Sequence, residues 1–164
     1  MISATGKKAT KTLHRFDSLE QEAFLSLWRT YDRLRALEDE LFGRHDLTAQ
    51  QYNALRLLRA RHPDKVPTLA LAARLVSRAP DITRLLDRLE ESGLVERARL
   101  PDNRRVVYVG ITRAGLSLLA RLSLEVRACH QRQLGHLDGA ALRALIDLLR
   151  TARRPHEAPD SDWA

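Results

Sequence analysis

Between Leu71 and Thr112 the chain changes its hydrophobic period, and Gly93 stands at the change. Upstream, LAARLVSRAPDITRLLDRLEESG carries apolar residues at three- and four-residue spacing, as a single buried helical face requires. Downstream the spacing is that of strands: Val107, Val109 and Ile111 share one face, and Val106, Tyr108 and Gly110 the other. Glycine tolerates the left-handed backbone that ends a helix, so the chain is expected to pass from helix to ribbon there. The helical half is itself divided. Pro67-Thr68 opens a short helix bearing Leu71, Ala72 and Leu75, and a break falls near Val76-Ser77. Pro80 suits the first turn of the next helix, which runs to Ser92 and buries Ile82, Leu85, Leu86 and Leu89. Pro101, Asp102 and Asn103 are turn formers, so the two strands close there as a hairpin.

Two helices followed by a hairpin make the pattern of a winged helix-turn-helix. That arrangement can send one helix into a DNA major groove while the hairpin tip reaches an adjacent minor groove. The 164 residues carry a formal net charge of +7, which suits a polyanionic partner. Only Lys7, Lys8, Lys11 and Lys65 are lysines; arginine, whose planar fork matches phosphate or guanine, supplies the rest. Across residues 71–113 nine arginines stand against six acids, a balance of +3, so placement argues for DNA more than number does. Arg78, Arg84 and Arg88 fall on the side of the helix opposite its leucines. Arg84, within the first two turns, is placed to donate two hydrogen bonds to a guanine. Thr83 suits a phosphate or a thymine methyl, and Arg78 and Arg88 suit phosphate. The plainer reading makes them solvated arginines paired with Asp81 or Asp87. At the hairpin tip, turn chemistry accounts for residues 101–103 but not for Arg104 and Arg105. Inserted arginine is what a narrow minor groove attracts, and Asp102 would hold such a guanidinium in position.

Other chemistry finds little support. Cys129 is the only cysteine, so an intrachain disulfide, a CxxC pair and a multi-cysteine zinc site are excluded. Its neighbours Val126 and Ala128 suggest an inert core or interface thiol. The alternative is a sensor thiolate whose pKa is lowered by Arg127, His130 and Arg132. The six histidines form no HxxxH pair, and neither a phosphate loop, HExxH nor GxSxG occurs. No catalytic residue, metal site or cofactor is therefore expected. No apolar run approaches a membrane span, and the N-terminus lacks a signal-peptide core, so the expectation is a soluble cytoplasmic protein. Trp28 and Tyr31, on an apolar helical face, read as core rather than as a ligand pocket.

The expected fold is mainly α with a small β-hairpin wing. Residues 1–16 read as a flexible basic arm, and 17–47 as an N-terminal dimerisation helix that Gly43 stops. Residues 48–112 read as the winged lobe, opened by a helix with Thr48 as cap and Gln51 in the capping box. Residues 113–150 read as C-terminal dimerisation helices, the first running from a Thr112 cap to about Leu137, and 151–164 as a disordered tail. The long flanking helices carry apolar stripes that a 65-residue lobe cannot cover, which predicts an isologous homodimer on a palindromic duplex.

These residues carry a likeness to a known family. Over about residues 17–150 the chain resembles the MarR family of bacterial winged-helix transcription regulators. The likeness is strongest in LAARL (71–75), in PDITRLLDRLEESGLVER (80–97) and in the wing. There the family's Asp-x-Arg, strand, Leu-Thr-x-x-Gly pattern stands as Asp102, Arg104, Ile111, Thr112 and Gly115, with Ile for Leu. The resemblance implies a homodimer with interlocking terminal helices, a recognition helix in the major groove, and Arg104 in the minor groove steadied by Asp102. It also implies repression of an operator, relieved by a small-molecule effector bound between the dimer helices and the DNA-binding lobe. Two positions depart from the pattern: Arg78 replaces a small capping residue, and Ala79 a polar one. Peroxide-sensing members hold their cysteine near the N-terminal helix, where this chain has none. Two alternatives from other classes are a nonspecific architectural DNA-binding protein and a helical interaction module without DNA binding.

Overall fold

A computed structural model of the chain describes residues 16–76, 82–100 and 103–157, and of residues 100, 103 and 104 the backbone alone. The basic arm, the expected helix start at Pro80 and the turn residues Pro101 and Asp102 lie outside this range. Residues through Arg35 form one unit and those from Ala36 onward a second.

Helix α1 (Leu19–Gly43) crosses that division. In the first unit its apolar residues Leu19, Phe24, Leu25, Leu27, Trp28 (61% exposed) and Tyr31 are open to solvent. Trp28 and Tyr31 are therefore not core residues of the chain, contrary to the sequence expectation. The stripe exists, and within its own unit it is open. The helix ends at Gly43, as the sequence suggests, and the turn beyond it passes through Asp46, at φ 54°. The Leu47 amide donates to the Phe42 carbonyl and the Asp46 amide to that of Gly43, closing the end of the helix.

In the second unit, α2 (Ala49–Arg59) begins as the sequence predicts. The Thr48 hydroxyl accepts from the Gln51 amide at 3.2 Å, and the Gln51 side chain accepts from the Thr48 amide at 2.8 Å. Next come β1 (Val66–Pro67), α3 (Thr68–Arg74), α4 (Ile82–Glu91), β2 (Val95–Leu100) and β3 (Asn103–Ile111). The helices α5 (Arg113–Leu134) and α6 (Gly139–Arg153) follow. The strands form an antiparallel sheet in the order β1-β3-β2. Strand β1 was not expected, because two residues carry no period. Val66 and Pro67 pair with Val109 and Tyr108 at the sheet edge, where proline's missing N–H does no harm. The Thr68 hydroxyl then donates to the Val107 carbonyl at 3.0 Å, tying the start of α3 to the wing.

One core serves the lobe. Ala54, Leu55, Leu58, Leu71, Leu86, Leu89, Val95, Val109, Leu119 and Leu122 are all buried in it, joined by Leu41 and Phe42 from the end of α1. Two boundaries differ from expectation. Helix α5 ends at Leu134, three residues early, and Asp138 caps α6 by accepting from the Ala141 amide at 2.8 Å. The chain stays helical through Arg153 and makes a 3-10 turn at Arg154–His156, where the sequence suggested a disordered tail from residue 151. Arg150 and Arg153 favour the helix's negative end, and Arg153 pairs with Glu157 at 2.9 Å.

Candidate nucleic-acid interface

Helix α4 has three faces with three different neighbours. Leu85, Leu86 and Leu89 are buried in the core. Arg84 and Arg88, one turn apart, are exposed on a second face. Thr83, Asp87 and Glu90, at i, i+4 and i+7, form the third, and this is the face turned toward the hairpin. The helix ends where the period changes. Gly93 takes φ 68°, its amide donates to the Glu90 carbonyl, and the Leu94 amide donates to that of Leu89. This is the Schellman arrangement, and it reverses the chain into β2.

The hairpin is regular near its base, from Val95 opposite Ile111 to Arg99 opposite Val107. It then shifts register, so that Leu100 lies opposite Asn103. Arg104, Arg105 and Val106 are therefore extra residues on β3 without partners on β2. Bulged strands twist and redirect their side chains, which frees Arg105 from the alternation of the ladder. Arg105 is exposed.

Between α4, the start of α3 and the hairpin opens a cleft of about 520 Å³. Thr83, Arg97, Arg99, Arg105, Leu69 and Tyr108 are among its lining residues. Strand alternation explains two of the arginines. Arg97 and Arg99 lie on the same face of β2 as buried Val95, so both border the cleft beneath the wing. Arg97 is fully engaged there. Its guanidinium lies 2.7 Å from Asp87 Oδ1, its Nε donates to Glu90 Oε2 at 2.9 Å, and its backbone amide donates to Glu90 Oε1 at 3.1 Å. These hydrogen bonds hold the Glu90 carboxyl below its ordinary range, and the same contacts raise the Arg97 guanidinium. Among the described residues no acid pairs with Arg99 or Arg105.

The structure brings Thr83 and Arg105 to one cleft, between α4 and the hairpin, and leaves Arg84 and Arg88 on the exposed face of α4. Arg104 sits on the irregular part of β3, and Arg78 and Asp102 lie outside the described residues. Sequence reading missed Arg97 and Arg99, which it counted only toward charge. The signal was available: in VERARL, the two arginines share a face with Val95, the face that Val107, Val109 and Ile111 mark as inward on the other strand. Cys129 is buried, and its thiol is raised first by burial and then by Glu38, with Arg132 opposing. The basic neighbours do not make it a thiolate. Among the described residues no helix is long and apolar enough to cross a membrane.

Comparison with known proteins finds a likeness over most of the chain. A model of the MarR family matches residues 47–107. The chain is 58% identical to a MarR transcription factor from Planctomyces limnophilus of known crystal structure, covering 84% of this chain and 99% of that one with a TM-score of 0.67. It is 27% identical over 135 residues to the HTH-type transcriptional repressor IacR of Pseudomonas putida, covering 81% of this chain and 80% of that protein. A mutant MarR from E. coli, complexed with operator DNA, is 25% identical with a TM-score of 0.72, covering 83% and 99% of the two chains.

Proposed function

Since this chain belongs to the MarR family of DNA-binding transcription regulators, we propose that it is a homodimeric repressor that holds a palindromic operator until a small molecule loosens it. The observation that carries the reading is the arrangement on α4 and the hairpin. One helix exposes Arg84 and Arg88 on a face clear of the core, and beside it a wing carries Arg104 and Arg105 on a bulged strand. In this reading Arg84 contacts base edges in the major groove, while Thr83, Arg78 and Arg88 contact the phosphate backbone. Arg104 enters the minor groove with Asp102 as its orienting partner, and Arg105 lies against the adjacent backbone. Two copies of α4 on a two-fold axis meet two half-sites about one helical turn apart, so the duplex read is an inverted repeat. The protein works in the cytoplasm, where its operator is.

Repression is supported by what the IacR relative is named for, and relief by a ligand by the family resemblance. The test is selection of bound duplexes from fragmented genomic DNA in competition with random DNA. Recovery of a short inverted repeat is expected. Fragments with no shared sequence would reject a regulator in favour of architectural DNA binding.

A further inference from the structure

Among the described side chains, packing between the hairpin and the core falls off outward from the base. Val95, Val109 and Ile111 are buried at the base, whereas Arg99 and Arg105 are exposed. Beneath the outer half lies the cleft between α4 and the strands. Hydrophobic burial therefore fixes the base of the hairpin and leaves the direction of its outer half undetermined. The contact at the boundary is Arg97, opposite buried Val109, where Asp87 and Glu90 of α4 hold it.

The chemistry of this contact suits an angular constraint. Glu90 receives both the amide and the side chain of Arg97, so it fixes the strand's backbone as well as its guanidinium. Asp87, one turn nearer the start of α4, holds the guanidinium from a second point. A planar fork fixed at two points resists rotation, which a single ammonium contact would not. The two acids lie on the helix that also presents Arg84 and Arg88. The bracket therefore ties the element that would read the major groove to the one that would enter the minor groove.

We propose that Arg97 is a positioning residue, which sets the direction of the wing relative to α4 through its bracket with Asp87 and Glu90 and so lets both grooves be engaged together. The proposal rests on the DNA-binding reading above, and the experiment separates the two. Dimethyl sulfate methylates guanine N7 in the major groove and adenine N3 in the minor groove, so one footprint reports both elements. The full chain and its variants are footprinted on the inverted repeat selected by the wild type. With Arg97→Gln, guanine protection persists at saturating protein, the flanking adenine protection disappears, and affinity falls about tenfold. Arg97→Lys keeps the charge without the fork and gives an intermediate result. Asp87→Asn combined with Glu90→Gln, which leaves Arg97 in place, repeats the Arg97→Gln pattern. Parallel loss of protection in both grooves, following loss of thermal stability in all three variants, would make Arg97 merely structural and overturn the proposal. So would unchanged adenine protection in a folded variant. A wild-type chain that protects neither groove would overturn the DNA-binding reading itself.

Discussion

Arg84 and Arg88 share an exposed face of α4, and in the proposed reading they do different work. If α4 enters the groove by its N-terminal end, base edges fall to Arg84 and phosphates to Arg88. Replacing Arg84 by Ala is expected to cost about 1–3 kcal/mol per half-site on the operator and to relax preference at one base pair there. Replacing Arg88 should weaken operator and scrambled duplex alike and lower the salt slope by about one unit for each phosphate that the arginine no longer neutralises. Salt titrations of both variants on both duplexes decide it: equal losses for Arg84→Ala on the two duplexes would remove its base-reading role. A second residue-scale prediction follows from Glu90, whose carboxyl is held below its ordinary range by Arg97. A depressed carboxylate stabilises the fold above the unfolded pKa, about 4.3, and loses that contribution as pH falls through the folded value. Urea melts should therefore show wild type more stable than Glu90→Gln at neutral pH, with the gap narrowing below about pH 4. A constant gap from about pH 7 to about pH 3 would show that the bracket carries no linked proton.

Among the elements, α4, the hairpin and α5 meet at one hydrogen-bonded junction. The Thr112 hydroxyl donates to the Gly93 carbonyl at 2.7 Å and accepts from the Gly115 amide at 3.1 Å. The Thr112 amide donates to the Leu94 carbonyl. Helix α5 thus starts on the turn that ends α4, and Gly115 lies where a Cβ would fall on the Leu94 carbonyl and within 2.7 Å of Ile111 Cγ1. Gly115→Ala is expected to destabilise the lobe by about 1–3 kcal/mol, despite alanine's better helix propensity, because backbone cannot step aside as a side-chain end can. A denaturation midpoint equal to wild type would contradict that. This junction also shows what a single chain makes legible. Thr48, Gln51, Gly93 and Thr112 do locally what their chemistry allows, so the caps and the helix-to-ribbon change could be read directly. Strand β1 and the left-handed Asp46 could not, because one depends on pairing with a strand far along the chain and the other on a single residue's place in a turn. The surface arginines were legible as a charge pattern. The Arg97 bracket was not, since it needs the hairpin folded back over α4 before the three residues meet.

At the scale of the molecule, the unanswered element is apolar surface. Helix α6 has no buried residue, and Ile146, Leu148 and Leu149 stay exposed on it. On α1 the same is true of Leu19, Phe24, Leu25, Leu27, Trp28 and Tyr31. Full burial of each such side chain is worth about 1.5–3 kcal/mol, so covering these nine brings on the order of 13–27 kcal/mol as an upper bound. Association costs about 4–15 kcal/mol, so the surface is sufficient for a stable pair of chains. A second copy is the fitting occupant, because an isologous contact places two α4 helices on a two-fold axis, as a palindrome requires. The prediction is a dimer at micromolar concentration in sedimentation equilibrium. Leu148→Glu and Trp28→Glu should each shift it toward monomer, since each places a charge in an apolar contact. Operator affinity should fall with dimerisation, because a monomer holds one half-site and forgoes the linkage that makes the second binding event intramolecular. The two variants leave α4 and the wing untouched, so binding to random DNA at low salt should fall far less than operator binding. A wild-type chain that sediments as a stable, folded monomer would overturn the dimer and the palindromic operator together.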